Sequence, residues 1–300
     1  MRRTLRTALA LVLCTFLGGC ALSPLAKRTA SFSATAAAAA TDSANAYQVV
    51  EDRYYQAQVS ALVISFDETG FDRTAIKPFM APKDMQARTD ILNGLQGYAE
   101  LLAEVSSDQP MRDVDTQSKA LSSSLRALSA NDLNSWAPPG DIDLAVKALN
   151  VLAKVLMEHK RSRELPEILG QMREPIQTIC ELLQKDIGDP KKSGLRNQLS
   201  NSYADIIRKQ QQYIRLNSRS MSPADKRAEI EKLPALVSAG ARADHILATT
   251  QRELGDLSKA HTMLADTARE KNSTAFDVRL QELVEDGRQL KVISSSLESR

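Results

Sequence analysis

Apolar side chains spaced alternately three and four residues apart run through almost the whole of this 300-residue chain, and that spacing constrains its fold more than any other feature. An α-helix turns about 100° per residue, so positions three and four apart stack on one face and form a stripe that must be covered. Tyr47, Val50, Tyr54, Ala57, Ala61 and Ile64 make such a stripe over a first helix from about Asp42 to Phe66. Ile91, Leu95, Tyr98, Leu102 and Val105 mark a second from Asp84 to Val105, and Val114, Leu121, Leu125 and Leu128 a third from about Met111 to Leu128.

Past Pro138-Pro139-Gly140, Asp141 is placed to cap a fourth helix with Ile142, Ala145, Leu149, Leu152 and Leu156 inward. A fifth follows from Leu165, carrying Ile168, Met172, Ile179 and Leu183; Pro175 is expected to kink it, since proline removes a donor and crowds the carbonyl a turn earlier. Gly188-Asp189-Pro190 ends that helix, and Lys191 to about Arg219 reads as one long helix. Ser222-Pro223 opens the next in the N-cap and N1 manner, with Pro234 and Gly255 as points where it can bend or divide before Glu270. Phe276, Leu280, Leu283, Leu290, Ile293 and Leu297 give a last helix. No run alternates with the period of a strand, and no unit of about 34 or 40 residues repeats. The expected class is therefore all-α, an elongated bundle of about seven to nine long antiparallel helices forming one domain over 46–300.

The first twenty residues carry a different signal. Arg2, Arg3 and Arg6 precede an apolar stretch from Thr7 to Leu17 that is too short to cross about 30 Å of hydrocarbon, and it ends in Leu17-Gly18-Gly19-Cys20. This arrangement resembles the lipobox of bacterial lipoproteins. The resemblance implies that 1–19 is a signal peptide to be removed and that Cys20 receives acyl chains, each buried methylene contributing roughly 0.8 kcal/mol of membrane affinity. Ala21, where the family's sorting rule places Asp for inner-membrane retention, implies the periplasmic face of a Gram-negative outer membrane. Leu22 to about Asn45 is rich in Ala, Ser and Thr, so 20–45 is expected to be a flexible tether, helical in part through its alanine run.

Charge bears on partners. The net charge of +2 includes the three arginines of the leader; from Cys20 onward 36 Lys plus Arg face 37 Asp plus Glu, which argues against a nucleic-acid partner. Positions 41–153 are acidic and 154–219 basic. Opposite charge on adjacent helices would account for this by mutual attraction; alternatively Lys160, Arg161, Arg163, Lys191, Lys192 and Arg196 meet an anionic surface such as phospholipid or lipopolysaccharide headgroups. Only Cys180 remains as a free thiol behind Cys20, and it falls beside an inward stripe, which favours packing over reactivity.

No catalytic constellation emerges. Of His159, His245 and His261, the last two fall on opposite sides of a helix and cannot chelate together, and His159 stands beside Lys160 and Arg161, so the histidines read as surface residues. Carboxylate pairs such as Asp113 with Asp115 and Glu285 with Asp286 read as solvated helix faces, and Gly188 to Gly194 as a plain interhelical turn. No cofactor is expected. The segment Gly70 to Pro82 holds an unusual amount of apolar surface for a connection: it either folds back over one end of the bundle or docks a partner through Phe71, Phe79 and Met80, joined by Trp136. The expected function is a lipid-anchored, non-enzymatic scaffold, adaptor or binding subunit of the cell envelope, held to the membrane through Cys20 and working with an envelope protein partner. The alternatives are an envelope enzyme or enzyme inhibitor with a site assembled from distant residues, and a periplasmic ligand carrier.

Overall fold

The computed structural model describes residues 23–70, 76–107, 141–158, 164–270 and 274–298, with 74, 122, 123, 125 and 128 as isolated positions. Seven helices are present among them: α1 Pro24–Thr69, α2 Pro82–Ser107, α3 Ile142–Glu158, α4 Leu165–Ile187, α5 Leu195–Asn217, α6 Pro223–Glu270 and α7 Thr274–Glu298. No strand occurs among the described residues; one isolated bridge joins Asp189 to Ser193. The chain is an all-α helical bundle.

α1 and α6 are its two long members, packed on each other and on most of the rest. Their pairing is antiparallel: Phe32 meets His261 at one level and Ser43 meets Glu253 further along. α4 runs antiparallel to α6, Arg173 bonding Asp266 and Gln184 bonding Gln251. α5 does the same through Arg196 with Asp244 and Gln210 with Glu229. α7 lies along α1 in parallel, with Arg28 near Asp277 and Asp42 near Lys291. α2 packs on α1, and α3 on α4.

The largest departure from expectation is α1. The segment read as a tether is the first half of a 46-residue helix. Ser23 accepts a hydrogen bond from the amide of Ala26 at 3.1 Å with Pro24 in the first turn, the same Ser-Pro start that Ser222 and Pro223 give α6. Its inward residues are Ala26, Thr29, Ser33, Ala36, Ala40, Ser43, Tyr47 and Val50, all buried. Their spacing of three, four, three, four is a heptad seam written largely in small residues, which lets neighbouring backbones approach closely. Two of the hydroxyls buried on the way are satisfied within the helix, Thr29 donating to the carbonyl of Leu25 at 2.9 Å and Ser33 to that of Thr29 at 2.7 Å.

The other expected breaks also resolve. α4 continues through Pro175, and α6 through both Pro234 and Gly255 over 48 residues, about 72 Å at 1.5 Å per residue. Gly255 serves close approach: a Cβ there would stand 2.6 Å from the Gln184 amide nitrogen. α5 starts at Leu195, four residues later than expected, because Gly188 and Gly194 close a tight turn with positive φ values of 71° and 86°. A side chain at either glycine would meet backbone oxygen at 2.2 to 2.5 Å. Of the third expected helix, Ser122, Ser123, Leu125 and Leu128 are described, and Leu125 is buried against Gly94 of α2. Cys180 is wholly buried in the core, as its stripe position implied, and burial pushes its thiol far above the ordinary range.

Candidate functional site: a carboxylate cleft between α1, α6 and α7

α6 buries a stripe of Ala243, Ile246, Thr250, Glu253, Leu257, Ala260 and Leu264, again at three and four. One member of that stripe is a glutamate, wholly buried where an apolar residue is the rule. α7 presents Phe276, Leu283 and Leu290 at intervals of seven, with Leu280 between the first two and Gly287 between the last two. The place of a leucine is thus taken by a glycine opposite the glutamate. A Cβ built on Gly287 would lie 2.9 Å from Glu253 Oε1 and 4.0 Å from Asp42 Oδ2, with no other tertiary neighbour within 4 Å. The absent side chain lets the Glu253 carboxyl pack against the α7 backbone, and neither Glu253 Oε1 nor Asp42 Oδ2 is open to solvent.

Beside this packed contact runs a cleft of about 380 Å³, with Ala38, Ala39, Leu283 and Val284 among its walls and Arg288 and Lys291 also lining it. Of its two lining carboxyls Asp42 has a cation, as do two further carboxyls on α7 and α6. Lys291 stands 3.3 Å from Asp42, Arg252 3.2 Å from Asp286, and Lys259 3.0 Å from Asp256. Glu253 has none: Oε2 accepts a long 3.4 Å bond from the Ser43 hydroxyl, and Oε1 has no partner. Burial, reinforced by the negative charges of Asp42 and Asp286, pushes its pKa up to about 8, so Glu253 is mainly protonated at neutral pH. Burial also raises Asp42 and Asp286, against the pull of Lys291 and Arg252 respectively. The reading of Glu285 with Asp286 as a solvated pair is therefore corrected: Asp286 is turned inward, only 9% exposed.

A second buried polar group lies one level along α1 and α6. The Tyr98 hydroxyl and His261 Nε2 are 2.8 Å apart, Phe32 packs on the imidazole, and His261 Nδ1 has no partner. His261, expected on the surface, is wholly buried, and burial lowers its pKa to about 3, with Arg173 adding to the effect. A neutral imidazole beside a phenol, closed to solvent, packs helices together. Among the described residues no three His, Cys, Asp or Glu converge in a way that could hold a metal ion.

The sequence-derived candidates fare differently. Phe79 and Met80 are buried, which fits the first of their two readings, folding back over the bundle, and counts against a docking edge. The Glu51 carboxylate accepts from both their amides at 2.8 and 3.0 Å, Tyr54 packs on the Phe79 ring, and Gln198 donates to the Phe79 carbonyl, so this stretch is stitched to α1 and α5. Arg196 is not available to an anionic surface either: it makes a bidentate pair with Asp244 at 2.8 and 3.0 Å. Lys191 and Lys192 are exposed in the turn between α4 and α5. Cys20, Phe71, Trp136, Lys160, Arg161 and Arg163 lie outside the described residues. The chain matches no family model, no curated protein and no solved structure.

Proposed function

We propose that this chain is a lipid-anchored protein of the bacterial cell envelope that works by contact, as a scaffold, adaptor or binding subunit. The observation carrying the reading is Leu17-Gly18-Gly19-Cys20 standing only four residues ahead of Pro24, where α1 begins. Acyl chains on Cys20 hold a helical bundle directly against the membrane, and Ala21 directs it to the periplasmic face of the outer membrane. Contact rather than catalysis is supported by how the buried polar groups are spent. Arg88 with Asp186 and Tyr98 with His261 each tie one helix to another. A ligand carrier is the second reading, favoured by the cleft of about 380 Å³ beside Glu253.

Labelling cells with radioactive palmitate tests the anchor: incorporation is expected in the native chain and lost in Cys20→Ser. Label that persists in Cys20→Ser, or never enters either form, overturns the reading. Pull-downs from detergent-solubilised envelopes with both forms then separate partners that need the anchor from partners that bind the helical body.

A further inference from the structure

A second cleft, of about 340 Å³, opens between α1, α5 and α6. Small-molecule sites usually fall between about 300 and 1,000 Å³, so it suits a small ligand. Ala57 and Leu236, both buried, and half-buried Ala239 give it an apolar lining, with Arg53, Gln56 and Lys232 beside them. The polar groups here have used their acceptors and kept donors. The Gln56 amide oxygen takes a hydrogen bond from Arg53 Nη1 at 3.1 Å. Glu229 accepts from Lys232 through one oxygen and from buried Gln210 through the other, each at 2.7 Å, so the charge of Lys232 is matched within α6. Arg53 is half-buried, and among the described residues no carboxylate pairs with its guanidinium.

We infer that this cleft binds an unbranched aliphatic monocarboxylate, its carboxylate on the Arg53 guanidinium and the Gln56 amide N–H, its stem along Ala57, Leu236 and Ala239. This goes beyond the anchored-scaffold reading, because α1, α5 and α6 form the cleft whether or not Cys20 is acylated.

Charge balance selects the head group. Arg53 is one uncompensated cation, and its planar fork matches a carboxylate through two parallel hydrogen bonds. A dicarboxylate or a phosphate monoester brings more negative charge than the cleft leaves unmatched, since Lys232 already has Glu229. An ammonium is repelled by Arg53, and an alcohol leaves it without a counter-ion. The walls select the stem. From Arg53 to Ser60, which also lines the cleft, is seven residues of α1, about 10 Å at 1.5 Å per residue. A stem of several methylenes fits that length, each one fully buried adding roughly fourfold in affinity.

Calorimetric titration of the purified full chain with octanoate, butanoate, 1-octanol and n-octylamine at neutral pH tests this. Octanoate is expected to bind at least about tenfold more tightly than each of the other three. Arg53→Gln should weaken octanoate binding by at least about tenfold, with Arg53→Lys, which keeps the charge and loses the fork, in between. Ala239→Leu, which narrows the apolar trough, should weaken octanoate more than butanoate. Absence of octanoate binding to the native chain overturns the inference. So does unchanged octanoate affinity in Arg53→Gln protein whose circular dichroism is native. Octanol or octylamine binding as tightly as octanoate overturns the carboxylate, and butanoate binding as tightly overturns the stem.

Discussion

The guanidinium of Arg88 on α2 meets the carboxylate of Asp186 on α4 through two parallel 2.7 Å hydrogen bonds, and neither side chain is more than 3% exposed. A third bond runs from Arg88 to the Asp84 carbonyl at 2.9 Å. Breaking this pair from one side strands a charge in the core. Arg88→Met should cost about 3–5 kcal/mol in urea unfolding, whereas Arg88→Met combined with Asp186→Leu should recover most of that loss. A double variant no more stable than the single one would show that the pair carries more than its own neutralisation. The neighbouring Tyr47 hydroxyl is wholly buried with no hydrogen-bond partner. Tyr47→Phe should therefore leave stability unchanged or raise it slightly.

Glu253 makes the fold itself sensitive to alkali. Its pKa rises on folding to about 8 from an ordinary 4.5, so the folded state holds a proton that the unfolded state gives up. That contribution is fully present below about 4.5 and is lost as pH climbs through about 8. Glu253→Gln should remove the dependence: its melting temperature should pull ahead of the native chain's as pH is raised from 6 to 9, the stability difference changing by on the order of 3 kcal/mol over that range. Parallel curves for the two proteins would contradict the buried, uncompensated carboxyl described above.

His261 acts in the opposite direction. Its pKa falls on folding to about 3 from 6.5, so its contribution is complete above about 6.5 and drains away as pH drops toward 3. Imidazole resonances followed by NMR should show His261 neutral at pH 5, held by the Tyr98 hydroxyl at 2.8 Å. Titration of that resonance near pH 6 would place the ring in water and dismiss the packing role.

The seam of α1 predicts intolerance where a linker would be indifferent. Ala36 and Ala40 are 3% and 1% exposed against their neighbours. Ala40→Leu should cost about 1–3 kcal/mol by thermal denaturation, because the added carbons have no space. A neutral result would return this segment to the status of a tether.

How much of this the sequence disclosed depends on residue size. Where stripes are written in leucine, isoleucine and tyrosine, as in α2, α3 and α4, the three-four spacing located the helices to within a few residues. In α1 the same spacing runs on upstream of Tyr47 in Ala, Ser and Thr, and composition outweighed periodicity; Ser23-Pro24, identical in kind to Ser222-Pro223, was the available clue. The cleft was legible in pieces. A glutamate in the inward register of α6 and a glycine filling the gap between Leu283 and Leu290 both stand in the chain. That they face each other follows only from the antiparallel packing of α6 on α7, which no local pattern encodes. For Phe79 and Met80 the sequence left folding back and docking both open, because a lone connection does not reveal that Glu51 will receive their amides.

On the proposed acylation of Cys20, the start of α1 at Pro24 would make the anchor a mounting rather than a leash. A free stretch of 26 residues would wander over roughly 28 Å, whereas four residues span at most about 14 Å. On that proposal Asp42 lies eighteen residues up α1 from Pro24, about 27 Å along the helix from its first turn. The hairpin of α5 and α6 projects further still, to about 70 Å on the same scale. Were Cys20 acylated as proposed, the reach of a partner-binding surface above the bilayer would be set by helix length rather than by a wandering linker.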